Sequence, residues 1–327
     1  MEALLGKPLA FSTSQTLVSA TSRLALNTKD GALLNIEIFD HAGTKDNHEA
    51  PILLVLHGVC ASAETLGVQA IVAAAKGHSV KVAVLELEGH GLSSGKSCVC
   101  GDFNRMLAHV LEAVQFTVPS LRGAGGPSTS KFSEAPFFIT GQSLGGVLAI
   151  YAAEEISKDK DNTYPKNFKG LAPIAPAVGV DPRAVPPTAI VQCLRMLAYI
   201  APATQVPFTP LEDPTNYNCP ADSNRNFSGH WPLATSKMLL DVTSNIVASD
   251  LKDGKLSLDS IGSVLTFAAE EDEVVPKTSI KAFHDAIKPG DKDLLMVPKA
   301  GHDLMCHEAS SKVVTQALFA WIALLTR

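Results

Sequence analysis

The stretch Gly141-Gln142-Ser143-Leu144-Gly145 places the tightest constraint on how this chain can fold. It follows a short apolar run at 135–138 and precedes the alanine-rich apolar segment 148–153, which is typical of a helix. Glycines two residues either side of a serine, between a strand and a helix, predict a sharp turn that lifts the hydroxyl clear of a sheet. The following helix would point its first N–H groups at the same place. A plain Gly-Ser turn is the alternative, so the pattern needs partners elsewhere in the chain.

Apolar runs alternate with helical segments along most of the sequence. Runs at 51–56, 80–85, 168–174, 263–269 and 294–297 predict strands that are buried on both faces, and 32–39 predicts a strand at the sheet edge. Helices are predicted over 63–76, 102–118, 279–287 and 312–325. This alternation predicts an α/β fold, with a mostly parallel sheet and helices on both of its faces.

A proline-punctuated block over residues 181–254 interrupts this alternation. Apolar helical patches at 190–200 and 238–248 lie between its nine prolines, and no segment of the block resembles a buried strand. We expect a helical cap, or lid, inserted into the core. The predicted organisation is a loosely ordered leader (1–30), a first core segment (31–180), the cap (181–254) and a second core segment (255–327). The glycine-rich stretch within 120–134 is expected to be a surface insertion.

The apolar residues of the cap allow two interpretations. They could pack the cap on itself, or they could form an exposed rim that contacts a membrane or micelle. We favour packing in the core. The residues concerned are Ile190, Leu194, Leu197, Ile200, Met238 and Leu239.

Composition narrows the possible partners. A net charge of -6 and a pI near 5.9 argue against nucleic acid, because nothing here would neutralise a row of phosphates. The six cysteines include no C-x-x-C pair and no Cys/His cluster with zinc spacing, which predicts free thiols in a reducing compartment and no metal or organic cofactor. No secretory signal is recognised, and no apolar run is long enough to span a bilayer. We expect a cytoplasmic protein, with peripheral membrane contact through the cap and organellar targeting by the N-terminus as open alternatives.

Ser143 needs a base, because a serine hydroxyl is a weak nucleophile near neutral pH. His284, His302 and His307 lie downstream. His284 falls inside a predicted helix and His307 in the first turn of another. His302 is the preferred base, since it lies in a glycine-containing loop directly after a predicted strand.

The base needs an acid to hold its tautomer, and four candidates follow the strand 263–269. Asp272 is preferred over Glu270, Glu271 and Glu273, because Val274-Val275-Pro276 beyond it would anchor the turn and start the next helix. A run of four acids is otherwise typical of a solvated loop.

Two backbone N–H groups are needed to stabilise an oxyanion near Ser143. Leu144, the residue after the serine, supplies one, and Val59 in His57-Gly58-Val59 is the candidate for the other. We expect His57 and His90 to brace their loops rather than transfer protons.

These stretches together resemble the monoacylglycerol lipase / lysophospholipase branch of the α/β-hydrolases, including plant enzymes similar to caffeoylshikimate esterase. The resemblance covers nearly all of residues 30–327 and is carried by His57-Gly58, Gly89-His90-Gly91-Leu92-Ser93, Gly141 to Gly146, Asp272 to Pro276 and Gly301-His302. It implies Ser143 as nucleophile, Asp272 as acid, His302 as base and the amides of Val59 and Leu144 as oxyanion donors. Glu86 departs from the branch, which usually has Asp at this position.

The function expected from the residues and the resemblance is hydrolysis of a carboxylic ester through an acyl-enzyme. Monoacylglycerol is the first substrate class, and aromatic (caffeoyl-type) esters are the second. An acyltransferase, a thioesterase and a prolyl aminopeptidase are rivals within enzymes. A hydrolase-derived ligand receptor is the rival that is not an enzyme.

Overall fold

The computed structural model describes residues 17–40, 49–122, 135–181, 183, 185–206 and 227–327. Eight strands form one sheet in the order β1-β2-β4-β3-β5-β6-β7-β8. β1 and β2 are antiparallel to their neighbours, and the other six strands run parallel. The strands are β1 Ser22–Asn27, β2 Leu33–Asp40, β3 Ile52–Leu56, β4 Lys81–Leu85, β5 Phe137–Gln142, β6 Phe168–Ile174, β7 Ser263–Ala269 and β8 Asp291–Val297. The predicted α/β fold with a mostly parallel sheet is confirmed.

The edge of the sheet differs from the prediction. β1 pairs with β2, from Ser22↔Ile38 to Asn27↔Leu33, and forms the edge in its place. It lies inside the range 1–30 that was expected to be a loose leader, so that expectation is wrong for residues 22–27. β1 carries a weak apolar signal because most of its side chains are exposed or half-buried. Residues 1–16 lie outside the described part of the chain.

Eight α-helices are described: α1 Leu66–Ala75, α2 Phe103–Leu121, α3 Leu144–Ser157, α4 Thr188–Ile200, α5 Leu233–Asp241, α6 Val247–Lys252, α7 Lys277–Ala286 and α8 Glu308–Leu325. α1 and α8 cover one face of the sheet, while α2, α3 and α7 cover the other. No helix among the described residues is long and apolar enough to cross a bilayer.

Helix α2 shows how local sequence sets its ends. The Asp102 side chain accepts the amide N–H groups of Asn104 (2.9 Å) and Arg105 (3.2 Å), which caps the first turn. The helix was predicted to end before Pro119 but continues to Leu121. A proline in the last turn removes only one helical donor, and the Arg122 amide still bonds to the Val118 carbonyl at 3.2 Å.

The cap contains α4 and α5, and a π-helical turn over Val242–Ile246 joins α5 to α6. Met238 and Leu239 are buried, as expected, but they pack in the main core rather than only within the cap. The expectation is wrong for three α4 residues, since Ile190, Leu197 and Ile200 are 50%, 48% and 80% exposed. Leu194 is partly buried in a small cap cluster. Residues 207–226 and 123–134, the latter containing most of the predicted insertion, lie outside the described residues.

Candidate active site

Ser143 occupies a strained turn between β5 and α3. Its φ and ψ are 53° and -115°, a conformation that a residue with a side chain rarely adopts. The turn leaves no room for side chains at its flanking glycines. A Cβ on Gly141 would lie 2.4 Å from the Gly145 carbonyl oxygen, and one on Gly145 would lie 2.3 Å from that of Leu56. The serine is thereby presented at the carboxyl ends of the parallel strands.

His302 and Asp272 come to Ser143 from two other strand ends. Ser143 Oγ lies 3.0 Å from His302 Nε2, and His302 Nδ1 lies 2.9 Å from Asp272 Oδ2. Both the imidazole and the carboxylate are buried. The Asp272 carboxylate also accepts the amide N–H groups of Val274 (2.9 Å) and Val275 (2.8 Å). The arrangement lets Ser143 donate its proton to His302 while His302 donates to Asp272.

The competing acids and bases lie elsewhere. Glu270, Glu271 and Glu273 are exposed, so they face solvent while Asp272 turns inward. His284 lies in α7, and its Nδ1 is 3.4 Å from Thr266 Oγ1. His307 occupies the N-cap position of α8 without a capping hydrogen bond from its side chain.

His57 lies in the loop after β3, where it holds two backbone groups. Its Nδ1–H donates to the Gly58 carbonyl at 2.7 Å, and its Nε2 accepts the Leu87 amide at 3.0 Å. Complete burial, together with the nearby imidazole of His90, lowers the pKa of His57 to about 3. With both ring nitrogens bonded to backbone, the neutral imidazole of His57 braces its loop.

From a buried position Glu86 joins its own loop after β4 to the loop after β3 and to strand β2. Its carboxylate accepts the Ala63 amide (3.1 Å), the Leu92 amide (2.6 Å) and the Asn35 side-chain amide (2.9 Å). Burial raises the pKa of this carboxyl group above its usual value. The longer Glu in place of the usual Asp fills the space beside Gly91, where any Cβ would overlap its carboxylate.

The two candidate oxyanion donors flank Ser143. Leu144 is the first residue of α3, and the first N–H groups of a helix have no acceptor within the helix. The loop that carries Val59 backs directly onto the serine, because a Cβ on Gly58 would lie 3.7 Å from Ser143 Cβ. Val59 lines the same cavity as Ser143 and His302.

That cavity has a volume of about 650 Å³ and lies between the core and the cap. Most of its lining is apolar, including Val180, Pro187, Ile190, Leu194, Leu239 and Val275. None of the described residues that line it carries a carboxylate.

Sequence analysis missed four polar residues of the cavity lining, namely Arg183, Trp231, Ser236 and Thr243, and two of these have polar atoms that are unpaired within the described part of the chain. Trp231 Nε1 and Ser236 Oγ are buried and have no hydrogen-bond partner among the described residues. Both residues line the cavity. The only available signal was that Trp231 is one of two tryptophans in the chain and lies in the cap.

The sheet order, the strained serine turn at the strand ends and the inserted cap define an α/β-hydrolase. A family model described as "Serine aminopeptidase, S33" (Hydrolase_4) matches residues 47–310. The chain therefore belongs to this family of serine hydrolases. A comparison with curated protein sequences finds no significant match.

Solved structures share this fold over almost the whole chain. A soluble variant of monoglyceride lipase from Saccharomyces cerevisiae, in complex with a substrate analogue, is 14% identical with a TM-score of 0.71, over 98% of this chain and 99% of that one. Est1E from Butyrivibrio proteoclasticus, with ferulic acid bound, is 18% identical with a TM-score of 0.59, over 92% and 98%. Monoacylglycerol lipase from Paleococcus ferrophilus is 17% identical with a TM-score of 0.61, over 88% and 97%. At these identities the likeness is one of fold.

Proposed function

We propose that this protein hydrolyses carboxylic esters with Ser143 as nucleophile, His302 as base and Asp272 as acid. The observation that carries the proposal is the chain of contacts from Ser143 Oγ to His302 (3.0 Å) and from His302 to Asp272 (2.9 Å). It lies at the wall of an apolar cavity of about 650 Å³, a size that suits a small organic ligand.

In the first stage, Ser143 Oγ attacks the ester carbonyl carbon while His302 Nε2 takes its proton. The negative charge that develops on the carbonyl oxygen is stabilised by the amides of Val59 and Leu144. Removal of one oxyanion donor from a serine protease costs about 2.7–4 kcal/mol of transition-state stabilisation, and we expect a similar contribution from each amide here. The tetrahedral intermediate collapses, the ester C–O bond breaks, and the alcohol leaves with the proton from His302.

In the second stage, His302 removes a proton from water, and the resulting nucleophile attacks the acyl-Ser143 ester. The acid is released when Ser143 Oγ recovers its proton from His302. Asp272 stays ionised throughout and holds His302 in the tautomer that presents a lone pair to the serine. These steps require no metal or organic cofactor.

The substrate we favour is a monoacylglycerol-like lipid ester. The apolar lining suits an acyl chain, and Trp231 Nε1 and Ser236 Oγ supply polar contacts for the hydroxyl groups of a small leaving alcohol. Two relatives of the same fold are monoglyceride lipases by name.

A second candidate is an aromatic ester. Est1E is known with ferulic acid bound, and the Trp231 ring in the cavity wall could contact an aromatic acid. Aminopeptidase activity, which the family description names, is disfavoured, because a substrate α-amino group needs a carboxylate and the described lining offers none.

The test is the Ser143→Ala variant, with Ser157→Ala at the far end of the same helix as the matched control. Hydrolysis of p-nitrophenyl esters should fall by about 10⁶-fold in kcat for Ser143→Ala and stay unchanged in the control. The circular dichroism spectra of both variants should match that of the wild type. Wild-type-like turnover in Ser143→Ala would contradict the proposal. A wild-type protein that stops after a single turnover per molecule would instead favour the alternative of a hydrolase-derived ligand receptor.

We also infer that helix α4 contacts lipid surfaces. Met196, Tyr199 and Ile200 are 69%, 81% and 80% exposed on α4, next to the cavity wall formed by Ile190 and Leu194. Ile200→Asp should weaken binding to phosphatidylcholine vesicles, whereas Leu324→Asp, which changes an exposed leucine at the end of α8, should not. Equal vesicle binding by both variants would count against this inference.

A further inference from the structure

Three cysteines and a histidine converge behind the loop that carries Val59. Cys60 lies directly after Val59, while His90, Cys98 and Cys100 come from the loop between β4 and α2. All four side chains are buried. The ligand atoms of Cys60, His90 and Cys98 lie within 4.8 Å of one another, and Cys100 Sγ lies 3.8 Å from His90 Nε2. These four residues are called the thiol cluster below.

The tautomer of His90 is set by its neighbours. Nδ1 lies 3.0 Å from the Glu88 carbonyl oxygen, so Nδ1 carries the proton and donates it there. Nε2 lies beside the thiols and accepts the Cys60 amide N–H at 3.0 Å, so its lone pair can turn to an ion only when this backbone bond breaks. A metal-binding histidine usually has one ring nitrogen held by a backbone carbonyl, as Nδ1 is here, which leaves the other nitrogen as the atom that coordinates the ion.

Cysteines that only fill a core behave as small apolar groups. Three thiols and an imidazole are instead a donor set that zinc and other thiophilic ions prefer. In a tetrahedral site with such ligands, the donor atoms lie about 3.5–3.8 Å apart. The spacing of Cys60, His90 and Cys98 therefore requires a small inward movement, together with loss of the Cys60 amide bond to Nε2, to enclose an ion.

We propose that the thiol cluster is a binding site for a thiophilic divalent cation such as Zn²⁺. Cys60, Cys98 and His90 are the primary ligands, and Cys100 completes the set. Thiols bind as thiolates, so each cysteine that coordinates the ion releases one proton to solvent. His90 contributes without losing a proton, because Nε2 already carries the lone pair.

Binding should lower esterase activity, an effect that rests on the proposed function. Coordination through His90 Nε2 displaces the Cys60 amide, which is now 3.0 Å from that atom. The Cys60 amide follows Val59, the proposed oxyanion donor, so a shift of this peptide moves the donor away from Ser143. Ion binding and transition-state stabilisation would then compete.

Binding is tested with Cd²⁺, whose thiolate complexes absorb in the ultraviolet. The protein is reduced, freed of reductant without air, and checked for intact thiols after denaturation. Wild-type protein should develop the thiolate–Cd²⁺ band with saturation at a single equivalent, and added Zn²⁺ should abolish it by competition. Cys98→Ser should weaken binding by at least about 100-fold, because even indirect partners of metal ligands contribute 10–100-fold. Cys193→Ser, which changes the exposed cysteine of α4, should bind like the wild type.

Two results would overturn the site: no band in reduced wild-type protein, or an undiminished band in Cys98→Ser. Cys60→Ser is the second variant in case Cys98→Ser does not fold, and it should lose the band as well. The thiolate–Cd²⁺ band does not depend on ester hydrolysis. The proposed ion site can therefore be confirmed even if the proposed esterase function is contradicted. In the wild type, p-nitrophenyl ester hydrolysis should fall with the same Zn²⁺ midpoint as the competition experiment. Equal inhibition of Cys98→Ser would overturn the link to Val59.

Discussion

The imidazole of His57 joins two strand ends through a bond from the amide of Leu87 to its Nε2, at 3.0 Å. His57 follows β3 and Leu87 follows β4, so one neutral ring fixes the spacing of both loops beside Ser143. The bond requires an unprotonated Nε2, and burial provides this by lowering the pKa of His57 to about 3.

Stability should therefore depend on pH through His57. The pKa rises from about 3 in the folded chain to the ordinary value of 6.5 on unfolding, so the unfolded chain binds the extra proton below pH 6.5. The contribution is complete above that value and is lost progressively as the pH falls toward 3, by about 1.4 kcal/mol per pH unit. In urea unfolding between about pH 8 and pH 5, His57→Gln should flatten this dependence. The exposed His78→Gln should keep the wild-type slope, and an unchanged slope in His57→Gln would refute the assignment.

Asp272→Asn should leave the fold intact and remove most activity. The Asn carbonyl oxygen would keep accepting the amides of Val274 and Val275, which turns the NH₂ group toward His302 Nδ1. His302 must then carry its proton on Nε2, where it cannot accept the serine proton. The expected fall in kcat is about 10⁴-fold. Glu271→Gln, a neutralised exposed neighbour, is the control and should stay near wild-type kcat with the same p-nitrophenyl ester.

Gly145→Ala should disrupt the serine turn. Its Cβ would lie 2.3 Å from the Leu56 carbonyl oxygen and 2.4 Å from that of His57, both of them backbone atoms. The resulting displacement of β3 or α3 should cost about 1–3 kcal/mol or more of unfolding free energy and abolish esterase activity. Gly77→Ala is the matched control, since its Cβ meets no atom closer than 3.8 Å. Equal thermal midpoints for the two variants would show that the turn can relax.

Substrate preference should depend on Trp231 and Ser236. Trp231→Phe and Ser236→Ala each remove one buried polar group and leave an apolar wall. For a monoacylglycerol, kcat/KM should fall by about two- to tenfold, since one hydrogen bond contributes about 0.5–1.5 kcal/mol. For a p-nitrophenyl ester of the same acyl chain, kcat/KM should be almost unchanged, because its leaving group has no glycerol hydroxyls. A parallel loss with both substrates would point to a structural role for the two groups.

The sequence was most informative where burial on both sides leaves a strong pattern. The runs at 51–56, 80–85 and 263–269 became β3, β4 and β7 with shifts of at most one residue at either end. Ser143, Asp272 and His302 could be chosen in advance because all three follow predicted strands, whose carboxyl ends meet at one edge of the sheet. The structure brings the three together.

Other features depend on contacts that a linear pattern does not contain. The edge strand β1 has an exposed face and gave no clear apolar run. The apolar residues of α4 were expected to be buried, but their burial depends on which face of α4 packs against the rest of the protein. The thiol cluster was missed because Cys60 is 30 residues from His90 in sequence and only the loops after β3 and β4 bring them together.

Thr235, the third residue of α5, anchors the cap to the loop between β4 and α2. Its hydroxyl donates to the Cys98 carbonyl at 2.6 Å and accepts the Cys100 amide at 2.9 Å, and all of these groups are buried. Helix α5 therefore cannot swing outward without breaking two enclosed hydrogen bonds. Because Arg195 of α4 pairs with Asp241 of α5 at 2.5 Å, the same two bonds also anchor α4, and with it one apolar wall of the cavity, to the loop that carries Cys98 and Cys100.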